Sequence, residues 1–172
     1  NSNQETSKKD IYYDIQSSFT TFIQLLESAK KNNISSAIWY ASSVVVYGVN
    51  NKSLKENFEL NPVSYYAFVK LICENACKFY SRNFKLNIGI LRLFSTFGPN
   101  LKRQVIYDTI KKIRTLKNFK VIGSGNEKRN FSYIDDQIKS IMKLSKKIKK
   151  PKGDVYNIAS GKTFSIKQIL KK

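Results

Sequence analysis

Histidine is absent from the sequence, and cysteine occurs only twice, as Cys73 and Cys77. Two thiols four residues apart could share a metal, but no imidazole exists to complete such a site. The pair reads instead as buried packing on one helix face, and free thiols suit a reducing cytoplasm. The only methionine is Met142. With no methionine at its start, the sequence reads as beginning inside a longer protein or after processing. No apolar run approaches the roughly 20 residues of a membrane span. The opening "NSNQETSKKD" has no apolar core of the signal-peptide kind.

Acidic residues are scarce, 12 against 31 Lys and Arg, which leaves a net charge of +19. Such an excess can mark a nucleic-acid or anionic-membrane partner. It can also be compositional bias. Lysine supplies 26 of the basic residues, asparagine is abundant as AT-rich codons would give, and the lysines are spread along the chain apart from "KKIKKPKGD" near residue 150. The spread favours bias and argues against nucleic acid. A basic surface still favours anionic small molecules such as nucleotide diphosphates.

What is present is an ordinary globular composition, 41% hydrophobic over 172 residues, enough for one domain with a real core. Helical spacing of apolar residues in "SSFTTFIQLLESAKKNN" is followed by a short apolar run, "SAIWYAS", of the kind a doubly covered strand shows. "SYYAFVKLICENACKFYSRN" is helical again, with Val69, Ile72, Cys73, Ala76, Cys77 and Tyr80 on one stripe. "LNIGILRLF" reads as a strand, "QVIYDTIKKIRTL" as a helix, "FKVIG" as a strand, "DDQIKSIMKLSKKIKK" as a helix and "DVYNIA" as a strand. "FSIKQILKK" reads as a final helix. The alternation predicts an α/β protein with right-handed crossovers on a parallel sheet.

Two tyrosines are followed four residues later by lysine, Tyr66–Lys70 and Tyr107–Lys111. With 10 tyrosines and 26 lysines, about one or two such pairs arise by chance, so spacing alone carries no signal. Context separates them. Tyr66 follows "NPVS", where Pro62 and Ser64 can begin a helix, and a buried strand ending in Ser42 and Ser43 precedes that. In a parallel sheet the strand's C-terminal end opens onto the ligand crevice, and the next helix starts near it. Ser43, Tyr66 and Lys70 can therefore converge, while no serine-bearing strand end leads into Tyr107. A phenol, with a pKa of ~10, is a poor base at neutral pH. An ammonium within ~4–6 Å stabilises the phenolate. A serine hydroxyl can help move the proton. Such a trio can deprotonate a sugar alcohol as hydride leaves for a nicotinamide.

Five motifs in order resemble the extended short-chain dehydrogenase/reductase proteins, in their NAD-dependent nucleotide-sugar epimerase/dehydratase branch. They are "YASSVVVYG", "NPVSYYAFVK", "LRLFSTFGPN", "VIGSGNEKRNFSYIDD" and "VYNIASGKTFSI", and the resemblance spans nearly the whole chain. It implies a Rossmann-like doubly wound parallel sheet, here incomplete at its N-terminus, over residues 1–98. The start of a smaller substrate-binding part, interleaved with the last strands, would occupy 99–172. The implied catalytic residues are Ser43, Tyr66 and Lys70. Cofactor, NAD or NADP, would be contacted by Ser42, Tyr66, Lys70, Leu93 and Ser95, and substrate by Ser43, Ser95 and Arg129. Arg129 matches the arginine that holds a nucleotide diphosphate, although an ion pair with Asp135 or Asp136 is an alternative use for it.

The sequence also departs from the family pattern. Ser95 stands where asparagine is usual, Asn130 follows Arg129 in place of aspartate, and Ser17 replaces an asparagine. Val44 and Val45 stand where sugar 4,6-dehydratases carry Asp-Glu, which disfavours dehydration and leaves epimerase or reductase chemistry. None of the seven glycines forms the family's GxxGxxG turn. The chain thus reads as the middle of a longer enzyme and is not expected to hold dinucleotide by itself. The expected setting is a cytoplasmic homodimer acting on a nucleotide-diphosphate sugar. The rival expectation is a non-catalytic nucleotide- or RNA-binding member of the same fold.

Overall fold

The computed structural model describes residues 11–50, 53–115 and 124–170. A helical run opens the described chain: α1 (Ile11–Asp14), a π-helical turn (Ile15–Thr20) and α2 (Thr21–Lys31). Then come β1 (Ile38–Ser43), a 3₁₀ turn (Val44–Tyr47), α3 (Tyr65–Phe84), β2 (Ile88–Leu93), β3 (Ser95–Phe97) and α4 (Gln104–Thr115). β4 (Lys128–Tyr133), α5 (Ile134–Lys147), β5 (Lys152–Ile158), β6 (Thr163–Ser165) and α6 (Ile166–Leu170) complete it. Two compact units result, Asn1–Leu93 with Lys143–Ile158, and Phe94–Met142 with Ala159–Lys172. The motif reading had set its division between residues 98 and 99.

The first unit holds a parallel sheet in the order β1-β2-β5. β2 is central, and its run "IGILR" is buried throughout, as expected for a strand covered on both faces. Gly89 in its middle serves packing, because a Cβ there would lie 2.3 Å from the Trp39 ring on β1. One face of the sheet is closed by α2 and α3. Leu26, Ala29, Ala76, Cys77, Tyr80, Leu86, Ile88 and Ile90 form one buried cluster there. α3 starts where Ser64 accepts a hydrogen bond from the Ala67 N–H at 3.2 Å, a side-chain N-cap. The expected apolar stripe on α3 is buried apart from half-buried Ile72, and it also contains Glu74, fully buried.

In the second unit β3 pairs parallel with β4, and β4 pairs antiparallel with β6. The described strands thus form two sheets, where the alternation had suggested one parallel sheet. The sequence reading had not marked β4 as a strand, because its leading Lys128, Arg129 and Asn130 hide the apolar alternation behind them. "FSIKQILKK" is not helical from its start. Phe164 and Ser165 finish β6, and Ser165 then caps α6 reciprocally with Gln168. The expected strand "FKVIG" lies outside the described residues.

Candidate active site

The C-terminal ends of the three parallel strands lie level. Ser43 of β1 pairs with Leu93 of β2, and Leu93 pairs with Ile158 of β5. Beyond Ser43 the chain turns at once. Ser43 is in extended backbone conformation and its Oγ accepts from the Val45 N–H at 3.4 Å, capping the 3₁₀ turn. Ser43 is therefore a turn cap in fact. That use leaves its own O–H proton free to be donated, since a hydroxyl is donor and acceptor together.

The turn ends at Gly48, with φ 71° and its N–H donating to the Val45 carbonyl. A Cβ on Gly48 would sit 2.1 Å from the Asn61 carbonyl oxygen. The glycine thus lets the segment leading into α3 lie directly on the turn that follows β1. This is how "YASSVVVYG" and "NPVSYYAFVK" come together. α3 packs on β1 and on the turn.

Tyr66, half-buried, lies in the first turn of α3, and Lys70 one turn later. The Lys70 Nζ donates to the Ala41 carbonyl at 2.8 Å, two residues before Ser43. It lies 5.0 Å from the Tyr40 ring centroid and 5.7 Å from that of Tyr66. The lysine that interrupts "AFVKLIC" thus has specific partners, as its position suggested. Burial lowers the Lys70 pKa from the ordinary lysine value, and the neighbouring Cys73 and Glu74 oppose that shift. Burial pushes the Tyr40 phenol far up, so Tyr40 stays neutral beside the ammonium. Of the two aromatic rings near Lys70, that of Tyr66 belongs to the first turn of α3 and that of Tyr40 to the strand β1.

Ser42 points the other way. It is buried, and its Oγ donates to Glu74 Oε1 at 2.5 Å. Leu93 is half-buried at the end of β2. Ser95 and Arg129 belong to the second unit, on β3 and β4, where Ser95 pairs with Phe131. Arg129 is exposed. Among the described residues no ion pair joins it to Asp135 or Asp136, and Asp136 faces Lys139 at 4.0 Å. Tyr107 lies within α4, where Phe97, Pro99, Arg103, Ile110 and Tyr133 line a cavity of about 280 Å³ with it.

Sequence reasoning missed the buried ion pair of Glu74 and Arg92, with Nη2 2.7 Å from Oε2. The available signal was one charged residue inside each of two apolar runs, "ICENAC" and "GILRLF".

The family model "NAD dependent epimerase/dehydratase family" matches residues 1–159. The chain belongs to that family. It is 31% identical over 150 residues to an uncharacterized UDP-glucose epimerase, YtcB, of Bacillus subtilis, covering 86% of this chain and 46% of that protein. The UDP-glucuronic acid 4-epimerase of Bacillus cereus, solved with NAD, superposes with a TM-score of 0.88 at 30% identity, over 95% of this chain and 53% of that one. A UDP-N-acetylglucosamine 4-epimerase of Methanobrevibacter ruminantium, solved with UDP-N-acetylmuramic acid, gives a TM-score of 0.86 at 28% identity, over 99% and 56%. The fold of this epimerase/dehydratase chain is accordingly Rossmann-like α/β. The chain spans about half the length of the relatives it matches. No described helix is long and apolar enough to cross a membrane.

Proposed function

We propose that this chain carries the catalytic segment of an NAD(P)-dependent nucleotide-sugar 4-epimerase. The observation that carries the reading is the Lys70 ammonium, bonded to Ala41 at the strand end that bears Ser43 and held beside the Tyr66 ring. The relatives' substrates are UDP-sugars, and a UDP-sugar is the substrate class proposed here. Level strand ends and a partly desolvated ammonium suit the nicotinamide end of the dinucleotide. Bound there, the nicotinamide would accept hydride from the sugar carbon and return it. Tyr66 takes the proton of the sugar hydroxyl and gives it back. Lys70 favours the phenolate by its charge, and Ser43, its proton uncommitted to the turn, donates to the reacting oxygen. Supplied with UDP-glucose or UDP-glucuronate and NAD, the full polypeptide should form the 4-epimer, seen by proton NMR. No epimer from any UDP-hexose tried would count against the reading.

Arg129 is proposed as the ligand of the nucleotide diphosphate. Its exposure without a partner among Asp135 and Asp136 supports this. Arg129→Lys should raise KM more than it lowers kcat, because diphosphate contacts are nearly equal in ground and transition states. A planar fork replaced by a point charge should forfeit roughly 1.5–3 kcal/mol, or on the order of 10- to 150-fold in KM. An unchanged KM would assign Arg129 to the fold.

A homodimer is proposed through the outward face of α3, where Tyr65, Phe68 and Phe79 are 50%, 45% and 55% exposed with half-buried Ile72 between them. Tyr65, Phe68 and Ile72 follow at three- and four-residue spacing and Phe79 lies two turns further on, so they share one helix face, which a second copy can match by two-fold symmetry. Sedimentation should give a dimer that Phe68→Glu converts to monomer. A monomeric parent would remove the idea. The buried free thiols Cys73 and Cys77 support a cytoplasmic setting.

A further inference from the structure

Ser42, Arg92 and Asn157 pair with one another across β1, β2 and β5, in register. They form a polar row one residue before the sheet's C-terminal edge. Glu74 and Arg92 are 0% and 1% exposed. Arg92 donates through Nε to Glu74 Oε1 at 3.0 Å, through Nη2 to Oε2 at 2.7 Å, and through Nη1 to the Glu56 carbonyl at 3.1 Å. Ser42 fills the remaining place on Oε1. The guanidinium lies 4.6 Å from the centre of the Tyr47 ring, and the Tyr47 hydroxyl donates to Asn157 Oδ1 at 2.8 Å. Asn157 in turn donates its N–H to Glu56 Oε1 at 2.9 Å and its side-chain amide to the Leu54 carbonyl at 3.3 Å.

A buried ion pair is a poor device for stability alone, since apolar residues of similar volume serve as well. What it does supply is direction. Together these hydrogen bonds join five segments: the end of β1, the 3₁₀ turn, the loop at Leu54–Glu56, β5 and α3. Anchoring Ser42 to Glu74 ties the backbone at the end of β1 to α3, and the next residue, Ser43, begins the turn from that fixed point.

We infer that Glu74 and Arg92 are positioning residues, which set Ser43 and the Val44–Tyr47 turn against the helix of Tyr66 and Lys70 and tie the Leu54–Glu56 loop to the same edge. The catalytic part of this inference rests on the epimerase reading. The structural part does not, and the test separates them.

The test is hydrogen exchange on Glu74→Leu/Arg92→Met, which removes both charges and leaves neither alone. The unfolding midpoint should stay near the parent's. The amides of Val45, Gly48 and Asn157 should exchange about tenfold faster or more, while those of Ile88 and Ile90 keep their protection. In the full polypeptide kcat should fall on the order of 10- to 100-fold with KM little changed. Unchanged exchange at the three amides overturns the inference. So does faster exchange across the whole sheet in step with a lower midpoint, because the pair would then serve the fold only. Should the double variant not fold, Ser42→Ala cuts only the strand-end contact. Faster exchange at Val45 and Gly48 would then support the inference, and parental rates would overturn it. A polypeptide without epimerase activity would cancel the kinetic readout and leave the exchange result decisive.

Discussion

Tyr66→Phe should all but abolish sugar epimerisation in the full polypeptide while the chain folds as before. The substitution removes one oxygen from a half-buried ring. Losing one such hydroxyl costs about 1 kcal/mol of stability at most. Loss of the general acid–base costs on the order of 10²- to 10⁴-fold in kcat. Lys70 would remain bonded to Ala41 but would have no phenolate to stabilise. Tyr107→Phe is the control, with the same spacing to a lysine, on α4 beside a cavity in the other unit. Proton NMR of the sugar products compares the two. If both variants lose activity, or neither does, the acid–base role does not belong to Tyr66.

Gly48→Ala should be the most destabilising single-methyl change at the candidate site. Two effects add. The backbone there has φ 71° and ψ −153°, a region essentially reserved for glycine, at roughly 1–3 kcal/mol for an L-residue. The new methyl would also meet the Asn61 carbonyl at 2.1 Å, and backbone must shift to admit it, at about 1–3 kcal/mol. Gly161→Ala separates the two, because Gly161 has φ 74° and open space around its Cβ position. Urea unfolding should show Gly48→Ala losing roughly 2–6 kcal/mol and Gly161→Ala, which meets no neighbour, clearly less. Equal losses would mean that Asn61 moves aside freely. The juxtaposition of the two motifs would then not depend on the glycine.

The main elements of the first unit were legible because their signals are local. "LNIGILRLF" announces the buried strand β2 by an apolar run broken only by Asn87 and Arg92, and "NPVS" announces the start of α3 by its cap. "SAIWYAS" also marked a strand, but β1 is half-buried with Ala41 exposed rather than covered on both faces. β3 and β6 were not legible, since three residues are too few to show a period. Lys70 could be singled out as an oddity in "AFVKLIC", but its bond to Ala41 spans 29 residues.

By itself, then, the sequence determined the succession of helices and strands and the order of the motifs that carry Ser43, Tyr66 and Lys70. Apolar period, capping and residue type act within a few positions of one another. Only the tertiary structure decided that Ser42 turns inward while Ser43 does not, that Glu74 meets Arg92, and that Tyr47 reaches Asn157 across 110 residues. Strand register makes those choices. Register follows from the whole packed sheet, with side chains alternating between its faces, so the pairing of two distant residues is not encoded beside either of them.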